Sequence, residues 1–146
     1  MKKKTKKIIL FCAFTTLSTL CFGATLNSMT KMQVENAFLN KTLISIPTDN
    51  LNRKTINNTF SMFMDRKGHV LGKMSLRPFN EPQIDHGIYT IKNNGNVYIT
   101  WQHWDFKKKL CAQFFETKNA YIAVDCTGIF HTVYMKASMQ SGDHLK

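Results

Sequence analysis

Two cysteines, Cys111 and Cys126, bracket the stretch CAQFFETKNAYIAVDC, whose polar centre is Lys118-Asn119. No other feature of the chain narrows its folding so much. With Lys118 and Asn119 as a two-residue turn, Cys111 falls directly opposite Cys126 on paired antiparallel strands. Opposed strand residues lie ~4.5 to 5.5 Å apart at Cα, within the span a disulfide accepts. The competing readings need more than the sequence supplies. A reactive thiol requires a free cysteine of lowered pKa beside a histidine, and a zinc site requires Cys-x-x-Cys or a close Cys-His spacing, neither of which occurs. The spacing therefore predicts a covalently closed hairpin. Closing a loop of this size is worth ~3 kcal/mol in the chain-entropy model.

A bridge of this kind needs an oxidising compartment, and the N-terminus supplies an address. Five lysines in the first seven residues precede a mostly apolar run from Ile8 to Phe22 and the small pair Gly23-Ala24. That order predicts a secretory signal peptide over residues 1–24. A membrane anchor needs ~20 predominantly apolar residues, and Thr15, Thr16, Ser18 and Thr19 dilute this run. Lipid attachment at Cys21 conflicts with the bulky Leu20 before it. Removal of the leader takes Cys12 and Cys21 with it, which leaves Cys111 and Cys126 alone in an exported, periplasmic or secreted, chain.

The remaining residues carry fifteen Lys and Arg against nine Asp and Glu, a net charge of +6. Such a balance suits a solvated surface, and anionic envelope polymers or lipid headgroups are its natural electrostatic partners. Nucleic acid fits poorly, because Lys107-Lys108-Lys109 is the only lysine run outside the leader. An inhibitor of a cationic enzyme is expected to be acidic, which this chain is not.

Beyond the leader, Thr30 and Gln33 have capping-box spacing, and Val34, Ala37 and Phe38 share one helical face, so a short helix is expected there. KTLISIP reads as a first strand ended by Pro47, followed by a polar loop from Thr48 to Asn58. In TFSMFMDRKGHVLGKMSL, a three-residue turn at Arg66-Lys67-Gly68 sets Phe60, Met62 and Met64 against Met74, Gly72 and Val70 on one face. RPFNEPQIDHG, with Pro78 and Pro82, reads as a long loop over a barrel mouth. Asn94-Gly95 is the strongest two-residue hairpin signal, and Asp105-Phe106, Lys118-Asn119 and Thr127-Gly128 mark further turns. The run IFHTVYMKAS precedes a polar tail, QSGDHLK. The expected fold is mainly β: one domain over residues 25–146, with about seven or eight strands in an antiparallel meander curled into a barrel or half-barrel, after one short N-terminal helix.

The succession FLNKTLIS, FSMFMDRKGHVLGK, DHGIYTIKNNGNVYITW, KLCAQFF and YIAVDCTGIFHTVYMKASMQSGDHL resembles a group of small exported bacterial proteins of unknown function with lipocalin-like or half-barrel β folds. It spans most of residues 38–145. Some of that group carry a cysteine where Tyr98 stands here, and the resemblance implies a fold without an activity.

Two constellations bear on chemistry. With Asn94-Gly95 as the turn, His86 falls opposite His103, at a Cβ separation of ~5 Å that lets two imidazoles share a metal ion. Asp85, Asp105 or His131 would have to complete such a set. Second, Tyr98, Trp101, Trp104 and Phe106 concentrate aromatic surface in one segment, suited to a core or to a pocket for a small apolar or sugar ligand. No Gly-x-Ser-x-Gly, His-Glu-x-x-His or phosphate-cradling glycine loop occurs, and no cofactor motif accompanies the pattern. The expectation is a non-enzymatic exported binding or envelope-associated protein. A secreted interaction protein, host-directed or inhibitory, is the alternative, and a metal-dependent enzyme stands or falls with His86 and His103.

Overall fold

Helix α1 (Lys31–Phe38) begins where Thr30 leaves extended backbone and its hydroxyl accepts from the Gln33 N–H, while the Gln33 side chain accepts from the Thr30 N–H at 2.8 Å. The capping box read from sequence is therefore present. The helix buries Val34, Ala37 and Phe38. A computed structural model describes residues 26–46, 50–51, 54–55, 59–75 and 81–145. The segment read as a signal peptide, Pro47 and Pro78 lie outside the described residues.

The strands follow as β1 (Lys41–Ile44), β2 (Asn50–Leu51), β3 (Lys54–Thr55), β4 (Thr59–Met64), β5 (His69–Ser75), β6 (Gln83–Ile91), β7 (Val97–Trp101), β8 (Lys109–Glu116), β9 (Ala120–Asp125), β10 (Phe130–Met135) and β11 (Gln140–Ser141). Nine of them form one antiparallel sheet in the order β10-β9-β8-β7-β6-β5-β4-β1-β11, and β2 pairs with β3 inside the stretch read as a polar loop. From β4 to β10 each strand neighbours the next, the meander expected from the tight turns. The sheet curls into a half-barrel, and its sides touch where Ser45 bridges Tyr134 and the Ile46 N–H donates to the Val133 carbonyl at 2.9 Å.

Two registers agree with the turn chemistry. Met62 faces Gly72 and Met64 faces Val70 across β4 and β5. Ala112 faces Asp125 across β8 and β9, which brings Cys111 and Cys126 to disulfide distance, 5.5 Å at Cα.

The connections sort by end. The turns after β4, β6 and β8 lie with α1, which closes that end: Phe38 is fully buried, with its ring 4.6 Å from Phe114 and 4.9 Å from Tyr121, edge to face. The loops between β7 and β8 and between β9 and β10 lie at the other end. Two readings of segments change. β6 begins at Gln83, so Asp85 and His86 belong to a strand rather than to a connecting loop. The supposed polar tail supplies β11, which pairs with β1 and is fastened where the Thr42 hydroxyl donates to the Gly142 carbonyl at 2.7 Å and accepts from the His144 N–H at 3.0 Å.

Candidate functional site

Alternation along the strands decides what the interior contains. In β7, Val97, Ile99 and Trp101 are buried, while Tyr98 and Thr100 point outward. Small residues at inward positions, Ala112 and Ala123, leave room between opposing walls. The result is a cavity of about 360 Å³ at the end opposite α1. Phe60, Met62, Met74, Trp101, Trp104 and Leu110 supply its apolar surface. Ser45, Thr59, Thr132, Asp105, His131 and Tyr134 supply the polar groups.

Its aromatic wall is Trp101, 3% exposed, with Trp104 packed on it at 4.9 Å between centroids and Phe60 edge-on to Trp101 at 6.2 Å. Gly72 makes that wall possible. A Cβ there would lie 2.6 Å from Trp104 Cζ3 and 2.7 Å from Trp101 Cη2, far inside the contact distance of ~3.5 to 4.0 Å between carbons. Gly87 plays the same part for the Trp101 Cε3 edge, at 3.1 Å.

Trp104 belongs to a strained turn. Asp105, Phe106 and Lys107 have φ of 53°, 54° and 61°, left-handed values that cost non-glycine residues roughly 1 to 2 kcal/mol each. Asp85 holds that turn to the barrel. Its carboxylate, 1% exposed, accepts from the backbone N–H of Trp104 at 2.8 Å and of His103 at 2.9 Å, and from its own neighbour His86 at 2.8 Å. The His103 ring adds a contact from Nδ1 at 2.9 Å. Burial opposes the charge on Asp85, but the donors from Trp104, His103 and His86 outweigh it and hold its carboxyl below the ordinary aspartate range.

Two sequence readings need correction here. The β6–β7 register pairs Gly87 with Trp101 and Ile88 with Thr100, so His86 stands beside Gln102, whose N–H donates to the His86 carbonyl at 2.8 Å. His86 and His103 are therefore not opposed: His103 lies beyond the end of β7, with its ring against the Asp85 carboxylate. The turn is the cause: it takes three residues, Asn93, Asn94 and Gly95, with Lys92 bonded to Asn96, and only Gly95 has positive φ, 84°. A two-residue type I′ turn would need positive φ at Asn94 as well. Among the described residues no group of three or more His, Cys, Asp or Glu side chains could hold a metal ion.

The second correction concerns the aromatic set. Trp101 and Trp104 line the cavity, whereas Tyr98 lies on the outer face beneath the Lys109 ammonium, 4.8 Å from its ring centroid, and Phe106 is 91% exposed. Sequence proximity grouped four rings that strand alternation and the left-handed turn separate.

Sequence reasoning missed Asp85 as the anchor of the turn and Tyr134 as a cavity residue. Tyr134 is 3% exposed, and burial alone pushes its hydroxyl well above the ordinary tyrosine range. Its partner Tyr121 is the one a two-residue Thr127-Gly128 turn implies, and the bulge between Phe130 and Thr132 displaces Phe130 instead.

Compared with known protein families, curated proteins and solved structures, the chain matches none.

Proposed function

We propose that this is an exported, non-enzymatic binding protein that carries a small, largely apolar molecule inside its half-barrel. The observation that carries the reading is the cavity of about 360 Å³, within the ~300 to 1,000 Å³ range of ligand sites, with two tryptophans on its wall. The strain at Asp105, Phe106 and Lys107 supports it, because such backbone is retained where the position of a side chain matters. Here that side chain is Trp104. A ligand of ten to fifteen heavy atoms at roughly 0.5 kcal/mol per atom binds by about 5 to 8 kcal/mol, a Kd from ~200 μM down to ~1 μM.

The chain has two tryptophans and both line the cavity, so intrinsic emission reports directly on occupancy. Titrating the mature domain with naphthalene is expected to quench that emission saturably. Ala112→Phe, which fills the cavity from the β8 wall, is expected to weaken binding at least tenfold while circular dichroism stays unchanged. Non-saturable quenching in the parent, or equal binding by the filled variant, rules the reading out.

A second reading has its own observation. Phe106, 91% exposed, and the exposed Lys107, Lys108 and Lys109 stand together at the open end. An exposed ring among cations suits an anionic envelope surface. Pelleting with phosphatidylglycerol vesicles but not phosphatidylcholine vesicles supports it, and equal recovery in both supernatants refutes it.

A further inference from the structure

The polar groups of the cavity differ in burial, with Thr59 and Thr132 half-buried between the two extremes. Near the open end stand Asp105 and His131, both exposed, and among the described residues no lysine or arginine lines the cavity. Deeper in, Tyr134 is 3% exposed and beside Ser45, its bridge partner across the seam of the half-barrel. The Ser45 hydroxyl accepts from the Phe60 N–H at 3.0 Å. The Tyr134 hydroxyl differs: among the described residues it has no hydrogen-bond partner. The contrast with Tyr89 is direct, since that buried hydroxyl donates to the Asp65 carbonyl.

A buried hydroxyl without a partner costs roughly 1 to 3 kcal/mol. Phenylalanine at position 134 would avoid that cost and keep the ring contact with Phe114, 6.4 Å between centroids. This hydroxyl would find its partner in an acceptor on a molecule inside the cavity. It stays protonated, because burial opposes the phenolate, and so it presents a donor. A carboxylate or phosphate at that depth would face no cation, and burying an unpaired charge is far costlier than burying a neutral group.

We infer that Tyr134 is the polar anchor of the cavity and that its ligand is a neutral apolar ring or chain ending in a hydrogen-bond acceptor, a carbonyl or hydroxyl, that meets the Tyr134 O–H while the apolar body lies along Trp101 and Trp104. This rests on the binding reading above and names the ligand class. It also explains why the two walls differ. One side offers aromatic faces without regard to orientation, and the other offers the buried Tyr134 donor, which fixes which end of the ligand lies deepest.

The test uses two probes of nearly the same shape, 2-acetylnaphthalene and 2-isopropylnaphthalene, each titrated by tryptophan quenching into the parent domain and into Tyr134→Phe. The ratio of the two affinities is expected to favour the acetyl compound in the parent by about five- to tenfold relative to the variant, the size of one net hydrogen bond. Affinity for the isopropyl compound is expected to change less than twofold. An unchanged ratio overturns the anchor and leaves the binding reading intact. Failure of both probes to bind the parent overturns the binding reading, and the anchor with it. A measurement on the parent alone guards against a variant that does not fold. The infrared carbonyl stretch of bound 2-acetylnaphthalene is expected near its position in alcohols, and a stretch at its hydrocarbon position overturns the anchor.

Discussion

Replacing Gly72 with alanine is the most discriminating small change. In an ordinary strand the substitution stabilises, because glycine there costs roughly 0.5 to 1 kcal/mol relative to alanine. At this position the added methyl would sit 2.6 Å from Trp104 Cζ3, 2.7 Å from Trp101 Cη2 and 2.9 Å from Trp101 Cζ3. Something must move by about 1 Å to restore normal carbon contacts. Trp101 cannot yield easily, being 3% exposed with its Cε3 edge against Gly87. Displacement therefore falls on Trp104 and on the turn that Asp85 holds. Overpacking of this kind costs ~1 to 3 kcal/mol. With a urea m-value of ~1 to 3 kcal/mol per M for a small domain, the unfolding midpoint of Gly72→Ala is expected to fall by roughly 1 M. Tryptophan emission of the folded variant is expected to shift to the red as Trp104 moves toward water. The reasoning is refuted if Gly72→Ala unfolds at the same or higher urea with unchanged emission, because the sign itself separates a clash from a strand glycine with room beside it.

Two further outcomes follow from the same geometry. Residues 25–146, kept non-reduced, are expected to show no thiol reactive with a thiol reagent, and the Cys111→Ser, Cys126→Ser double variant to lose about 3 kcal/mol of stability, as for any closed loop of this length; two titratable thiols in that protein would contradict the pairing. Asp85→Ala is expected to cost ~2 to 3 kcal/mol near neutral pH, since it removes charge-assisted acceptors from three backbone N–H groups. Because the folded Asp85 carboxyl titrates below its unfolded value of ~3.9, its contribution is complete above that pH and lost as pH falls through the folded value. Parent and Asp85→Ala stabilities, measured by urea unfolding from pH 7 to pH 2, are therefore expected to draw together as pH falls below the ordinary aspartate range; a constant gap would show that the carboxylate charge is irrelevant.

How much of this was legible in the sequence depended on the turns. Lys118-Asn119 and Arg66-Lys67-Gly68 have lengths that fix register without help from elsewhere, and both hairpins follow them. Asn94-Gly95 misled because the tripeptide Asn93-Asn94-Gly95 satisfies a longer turn with the same glycine. The incoming chain at Met29 also packs its carbonyl against Gly95, a contact that local sequence does not encode. One residue of slip then moved His86 away from His103. β11 was hidden for a similar reason. Gln140 and Ser141 look like tail residues until Thr42, distant in sequence and 1% exposed, receives them.

The cavity was partly legible. Trp101 and Trp104 stood out as a pocket wall, but whether the interior is filled depends on Ala112 and Ala123 falling at inward positions, which is a property of register rather than composition. Tyr134 and Asp85 escaped for opposite reasons. One sits in a run, IFHTVYM, whose apolar residues do not alternate cleanly, and the other lay in a stretch whose two prolines suggested a loop.

The most direct test of the hollow interior is a crystal of the mature domain pressurised with xenon, which settles in dry apolar cavities. Xenon density between Trp101 and the Ala112 wall is the expected result. A well-ordered crystal with no xenon there, its interior closed by side chains, would contradict it.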